Sequence, residues 1–309
     1  MPSIIVPARN NPETTAKCLS SLLLSVNRLL LKCEFVLVDD ASPPEENILD
    51  VFHMHRANAI GHDTKIIRSR KHQHYSGVFS IGLDNATHDL IFFISNDMLV
   101  TTSFIQALLL VSSLSGKHGI VRGTSNYTDS HSEHKVEPPQ RLNSYPEIDS
   151  FSRHIFSTNG CRYVEDDVLS GDAILIKREL VDAIGVLDLN FFGYFGDVDY
   201  GMRAHLAGFK LVCAKGAWLL HEGSGHLRHE MNKGTLTLDQ ARESRYALVE
   251  VAYKEFRKKW NLAEPERWMD GSGTEEAIRR FFPHARSQKD KVALKYEFPA
   301  SARGDLEFY

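Results

Sequence analysis

The 309 residues suffice for one large domain or two modest ones, and 42% hydrophobic with 25% charged residues is an ordinary globular balance. A formal net charge of -4 excludes the concentrated basic face that general nucleic-acid binding requires. Cys18, Cys33, Cys161 and Cys213 are scattered without CxxC spacing and read as reduced, mostly buried thiols, not a disulfide frame or a zinc site; no run reaches the ~18 apolar residues of a membrane helix.

Met1 to Pro7 enters a strand-like run with no basic segment ahead of it, so a cytoplasmic chain without a signal peptide is expected. Ser3 to Val6 reads as a buried strand ended by Pro7. Asn11-Pro12-Glu13 then supplies an N-cap, a proline at the first helical position and an acid in the first turn. Leu19, Leu22, Leu23, Val26 and Leu30 carry the helical period along one face. Glu34 to Val38 is a second strand, closed by Asp39-Asp40-Ala41-Ser42-Pro43-Pro44, and Lys65 to Ile67 a weaker third. Val78 to Ala86 has a helical pattern, and Leu90 to Ile94 is an apolar strand ending at Ser95-Asn96-Asp97. Strands alternating with helices imply an α/β fold with a mainly parallel sheet, in which ligands bind beyond the carboxyl ends of the strands.

Residues 122–168 read as a long irregular excursion, polar and broken by Pro138, Pro139 and Pro146; such loops are often functional. The pattern resumes with a strand at Ala173 to Ile176, a helix from Arg178 to Ile184 stopped by Gly185, and another from Val198 to Ala207 stopped by Gly208. Tyr246, Val249, Tyr253, Phe256 and Trp260 form an aromatic stripe expected to dock on the main domain, while the trailing Arg257-Lys258-Lys259 suits a membrane surface. The pairs His53/His55, His72/His74 and His131/His134 have no partners at zinc spacing and read as surface residues. His221, His226 and His229 surround Gly223-Ser224-Gly225, which breaks the helix an HExxH site demands.

Three acidic clusters fall at strand ends or a helix start: Asp39-Asp40, Asn96-Asp97, and Asp197 with Asp199; His221 closes a further apolar run. Each has a bland reading, as turn chemistry, helix-dipole complement or core histidine. A single site for a metal-bound nucleotide diphosphate accounts for all of them together.

The order of these motifs resembles the family 2 inverting glycosyltransferases of GT-A fold. Ser3 to Asn11 resembles that family's first strand and nucleotide loop, Phe35 to Ser42 its VVDDGS strand, and Gly77 to Asp97 the elements leading to its DxD-type motif. Leu169 to Arg178, Gly185 to Asp188, Phe192 to Arg203, Gly208-Phe209 and His221 resemble the block that carries its catalytic carboxylate and downstream histidine. The resemblance is nearest to rhamnosyl- and galactofuranosyl-type transferases. It implies a GT-A domain over residues 1–230, with a nucleotide-sugar half (1–121) and an acceptor and catalytic half (122–230), followed by a mostly helical extension (231–309).

Carried onto these positions, Pro7, Ala8, Arg9, Asp40 and Asn96 would bind the nucleotide, Asp97 and His221 would ligate Mn²⁺ or Mg²⁺, and Asp197 would be the general base; Asp199 would support the helix start, and Arg203 would approach the diphosphate. The implied donor is a UDP-, dTDP- or GDP-linked sugar and the implied acceptor a glycan or lipid-linked hydroxyl in surface polysaccharide synthesis, with peripheral membrane association and an oligomeric state left open. Two positions depart from the family pattern: Gly196 stands where glutamate is usual, and Asn96-Asp97 keeps only the last acid of the DxD-type motif. They motivate an alternative, a catalytically degenerate module that binds a nucleotide sugar or a protein.

Overall fold

The computed structural model describes residues 1–128, 132–223, 237–261 and 287–309. Strands β1 (Ser3–Ala8), β2 (Glu34–Asp40), β3 (Asp63–Ser69) and β4 (Leu90–Ile94) form a parallel block in the order β3-β2-β1-β4. Its crossovers are α1 (Pro12–Arg28), α2 (Ile48–Asn58) and α3 (His74–Asn85). Both faces of the block are covered, so the middles of β1, β2 and β4 are apolar, while the outer β3 is mixed. Ile4, Val6, Phe35, Leu37, Phe92 and Ile94 face α1 and α4 (Thr102–Ser113); Ile5, Val36, Val38, Ile91 and Phe93 face α3 and the opposite core.

Beyond β4 the sheet continues with strands of both senses. After the short β5 (Met98–Leu99) come β6 (His118–Ser125), β7 (Tyr163–Asp166), β8 (Ala173–Lys177) and the twelve-residue β9 (Lys210–His221). β8 inserts antiparallel between β4 and β6, while β6 and β9 run parallel. β9 also pairs antiparallel with β5 and β7. At the other edge, β10 (Leu306–Phe308) lies antiparallel to β3. This is the α/β sheet the alternation predicts, and the strands from β1 to β4 lie where expected.

Several local expectations change. α1 ends at Arg28, and Leu30 lies beyond it with positive φ and 94% exposed, outside the buried stripe. Asn11 stands at the N-cap but is left-handed and makes no side-chain cap; its carbonyl instead accepts from Thr15 N and Oγ1. The excursion of residues 122–168 is not irregular: it holds the end of β6, α5 (Tyr145–Asn159) and β7. Pro146 starts α5 instead of breaking it, because a first-turn residue has no intrahelical N–H bond to lose.

Two short helices, α6 (Arg178–Ile184) and α7 (Gly196–Leu206), precede β9. The long α8 (Leu238–Trp260) then packs Val249, Tyr253, Phe256 and Trp260 against Val168, Phe191, Phe195 and Met202, as the stripe predicts; the side chain of Tyr246 lies outside the described residues. Lys259 does not face outward with its basic neighbours. It turns inward to Asp188 at 2.9 Å and Asp199 at 2.7 Å. Among the described residues no helix is long and apolar enough to cross a membrane.

Beneath α8 lies a fully buried ion pair. Arg203 Nε donates to Asp199 Oδ2 at 2.8 Å, both side chains being 0% exposed, and Trp260 Nε1 donates to Asp199 Oδ1. The remaining guanidinium nitrogens donate to the carbonyls of Ile184, Val186 and Leu294. Removing Arg203 leaves Asp199 to Lys259 and Trp260 alone and takes the buried donor away from the carbonyls of Ile184, Val186 and Leu294. Arg203→Leu is therefore expected to lower unfolding free energy by about 3–5 kcal/mol in a denaturant titration.

Candidate active site

The chain runs from β1 outward through β2 and β3, then returns to the other side of β1 as β4, so the strand order reverses between β1 and β4. Their ladder stops at Ile5↔Phe93, whereas β1 stays paired with β2 up to Ala8↔Asp39. The point where the two strands part is the usual ligand position in such sheets, a crevice between the strand ends. Pro7 to Arg9 lie on one bank and Ser95 to Asp97 on the other. Pro7, which lacks an N–H to donate, stands beyond the last β1–β4 pair.

Polar bonds shape the crevice. Arg9 Nη1 donates to the Asp40 carbonyl at 2.7 Å. The Asp40 carboxylate accepts from Gln73 N and faces His72 Nδ1, each at 2.6 Å, which fastens the start of α3 to the end of β2. Asn96 Nδ2 donates to Thr15 Oγ1 at 2.8 Å, tying α1 to the end of β4. Ala8 is buried, while Pro7, Arg9 and Asn96 are half-buried.

At the deep end Asp97 and His221 meet because β5 and β9 pair Met98 with His221. Nε2 of His221 is 3.3 Å from Asp97 Oδ2, and Nδ1 is 3.7 Å from Asp172 Oδ2. Asn126 fixes the backbone of His221 from both sides, accepting from its N–H at 2.7 Å and donating to its carbonyl at 3.0 Å. Burial disfavours charge on His221, but the flanking Asp97 and Asp172 carboxylates outweigh it and raise its pKa. Two carboxylates and an imidazole there are donors of a kind a hard or borderline divalent cation takes, and Asp97 and His221 could hold one with Asp172 adjacent. Asp172 was not singled out in the sequence; its place follows from the β4–β8 pairing of Ile94 with Ala173.

Asp197 opens α7 beside this group. Its Oδ2 accepts from Gly171 N at 3.1 Å and its Oδ1 from Val198 N at 2.9 Å. Burial pushes its pKa up to about 6, against these two N–H donors, and Asp172 adds to the rise. Tyr75 Oη donates to the Gly171 carbonyl at 2.9 Å, so α3, the β8 approach and α7 meet at one glycine. The residue before α7, Phe195, is a buried left-handed non-glycine, and such strained positions gather at functional sites. At Gly196 a Cβ would land on Ser76 Oγ, a buried hydroxyl with no partner among the described residues, so a side chain there requires Ser76 to move.

Other expected residues lie elsewhere. Arg203 does not approach the crevice; it is sealed beneath α8, and Asp199 is its partner. His55 and His134 are buried, not surface residues, because Phe35 packs on the first and Asp166 bonds the second. His131, His226 and His229 lie outside the described residues.

A family model described as Glycosyl transferase family 2 matches residues 3–185, more than half of the chain. Uncharacterized proteins of Mycobacterium bovis and Mycobacterium tuberculosis are 34% identical over 65 residues; the match takes in 20% of this chain and only 25% of theirs. Among solved structures, S. aureus TarS (residues 1–349) superposes with a TM-score of 0.51 at 13% identity, covering 93% of this chain and 71% of that one. A mannosyltransferase from Pyrobaculum calidifontis in complex with GDP-Man and Mn²⁺ gives 0.54 at 13% identity, with 94% and 72% covered. GalNAc-T7 with UDP, GalNAc and Mn²⁺ gives 0.55 at 15% identity, with 95% and 59% covered. At such identities the likeness is one of fold.

The crowding at Gly171 is testable. A Cβ there would land on Tyr75 Oη and stand 3.2 Å from Asp197 Cβ. Gly171→Ala should displace Tyr75, cost about 1–3 kcal/mol and alter the near-ultraviolet circular dichroism. Gly193→Ala, where a Cβ meets nothing within 4 Å, should change neither.

Proposed function

The chain belongs to glycosyl transferase family 2 and has the GT-A fold, and on that premise we propose a metal-dependent, inverting transfer of a sugar from a nucleoside-diphosphate donor to a hydroxyl of a glycan or lipid-linked acceptor. The observation that carries this reading is the convergence of Asp97, His221 and Asp197 at one end of the sheet, from three separate stretches of sequence. Residues 1–121 would hold the nucleotide, residues 122–230 the acceptor, and the extension would brace α7. The donor would be a UDP-, dTDP- or GDP-linked hexose or deoxyhexose. The work would belong to surface polysaccharide synthesis on the cytoplasmic side of the membrane, the theme of the rhamnosyl- and galactofuranosyl-type transferases the sequence resembles.

In this reading Pro7 to Arg9, Asp40 and Asn96 bound the nucleotide pocket. Asp97 and His221 would hold Mn²⁺ or Mg²⁺, and the ion supplies neutralisation of the charge on the diphosphate. Asp197 takes the acceptor hydroxyl proton as that oxygen bonds to the anomeric carbon. The bond from that carbon to the diphosphate oxygen breaks with its electron pair leaving on the nucleoside diphosphate, and the configuration inverts. A base so placed is worth about 10²–10⁴-fold in rate. The raised pKa of Asp197 suits the task, because a stronger base accepts the proton more readily while remaining ionised at neutral pH.

Three outcomes test this. Donor sugars with Mn²⁺ or Mg²⁺ should raise the melting temperature for one nucleotide class, and EDTA or Asp97→Ala should abolish the shift. Asp197→Asn should lower kcat by about 10²–10⁴-fold while leaving the donor- and metal-induced rise in melting temperature in place. The base is active when deprotonated, so kcat/KM of the wild type should fall as pH drops through about 6, by roughly tenfold per unit well below it. A donor-induced shift without turnover for any acceptor would favour the degenerate binding module.

A further inference from the structure

The acceptor-side half contains a second group of ligating side chains. His134 lies in a 3₁₀ turn (Ser132–His134), Asp166 ends β7, and Cys213 lies on β9. In the β7–β9 ladder Asp166 pairs with Leu211 and Cys213 with Val164, so Asp166 and Cys213 are diagonal neighbours on one face. The turn delivers His134 onto them, its Nε2 2.7 Å from Asp166 Oδ1. One nitrogen, one oxygen and one sulfur thus lie within 4.8 Å of one another, on residues 1%, 6% and 0% exposed.

A plain His–Asp hydrogen bond does not explain the cluster fully. Asp166 Oδ2 is buried with no partner among the described residues, an arrangement that is costly for a carboxylate. Among the described residues, Cys213 Sγ makes one weak contact, 3.6 Å from the Gly123 carbonyl. Two cations face the group. Arg122 pairs in register with Cys213, and half-exposed Lys215 donates to His134 Nδ1 at 2.9 Å and to the Glu133 carbonyl.

We propose that His134, Asp166 and Cys213 form a structural site for a soft or borderline divalent cation, Zn²⁺ by its ligand chemistry, distinct from the Asp97–His221 pair. A thiolate, an imidazole and a carboxylate are a zinc donor set, with a water completing four-coordination; a thiolate disfavours Mg²⁺ and Mn²⁺. On binding, the Cys213 thiol proton leaves to solvent, and the Nε2 proton moves to Nδ1 as Lys215 swings outward. The two positive charges of the ion then meet one thiolate and one carboxylate, giving a neutral centre that Arg122 tolerates. The site would fasten the turn that follows Tyr127 to the sheet. Val136 N donates to the Ser125 carbonyl and Asn126 holds His221, so a metal here stiffens the wall behind the active-site histidine.

Cobalt reports the sulfur directly. The full chain, stripped with EDTA, should bind Co²⁺ with a near-ultraviolet thiolate-to-metal charge-transfer band that saturates at one equivalent in Asp97→Ala and that Zn²⁺ abolishes by displacement. Cys213→Ala and Asp166→Asn should lose the band, whereas Asp97→Ala and Cys161→Ser should keep it. No band in the wild-type chain, or a band that survives Cys213→Ala, overturns the proposal. Should Cys213→Ala not fold, zinc-edge X-ray absorption of the Asp97→Ala chain loaded with one equivalent decides: one sulfur in the shell supports the site, and a shell of nitrogen and oxygen alone overturns it. Neither readout depends on sugar transfer, so its failure and that of the transferase reading are separable.

Discussion

The buried pair of Asp199 and Arg203 is the contact on which the start of α7, with Asp197, depends. Full desolvation makes such a pair a poor source of net stability, but it is demanding about geometry, because every donor and acceptor must be met. Here they are met by carbonyls from both sides of Gly185, a carbonyl at Leu294, and the Trp260 indole. Three segments far apart in sequence are thus held in one relation to α7. Asp197 sits two residues from Asp199, so its position is inherited from this anchor. The C-terminal segment, outside the motifs of the family, is thereby part of what aims the carboxylate.

The site itself is an arrangement of like charges held close. Asp97 and Asp172 flank a single imidazole and Asp197 stands beside Asp172, and each end of the row is stabilised differently. Asp197 is given backbone N–H donors and a raised pKa, while His221 is biased toward its charged form by the carboxylates on either side. An imidazolium at His221 is therefore favoured by the carboxylates on either side of it, against the cost of its burial.

What the sequence disclosed follows from the range over which each feature is determined. Unbroken apolar runs bounded by glycine, proline or paired aspartates mark β1, β2, β4 and β8, because two covered faces demand apolar residues and the ends demand turns. The acids at those ends were visible for the same reason. α4 escaped notice because both its flanks are apolar, as in Phe104-Ile105 and Leu108-Leu109-Leu110, which erases the amphipathic period; α5 hid behind prolines that read as breakers. Asp172, Arg203 and His134 could not be placed by local pattern. Their surroundings are set by the register of β8 on β4, by a carbonyl 91 residues downstream, and by the pairing of β7 with β9.

The pairing of β10 with β3 bears on how the chain comes to be folded. Arg70 and Glu307, which join the two strands, are 237 residues apart. As the chain emerges during synthesis, β3 can dock on β2 early, yet its outer edge keeps its N–H and C=O groups unpaired until that distant strand is made. An open, partly apolar edge invites pairing with another nascent chain. The loop that must close is long, but the entropy of closure grows only slowly with length. The cover is short and its ion pairs are mostly exposed, so it confers little affinity of its own. Its contribution is to finish the sheet, and a nascent chain is at greatest risk of misassociation in the interval before it arrives.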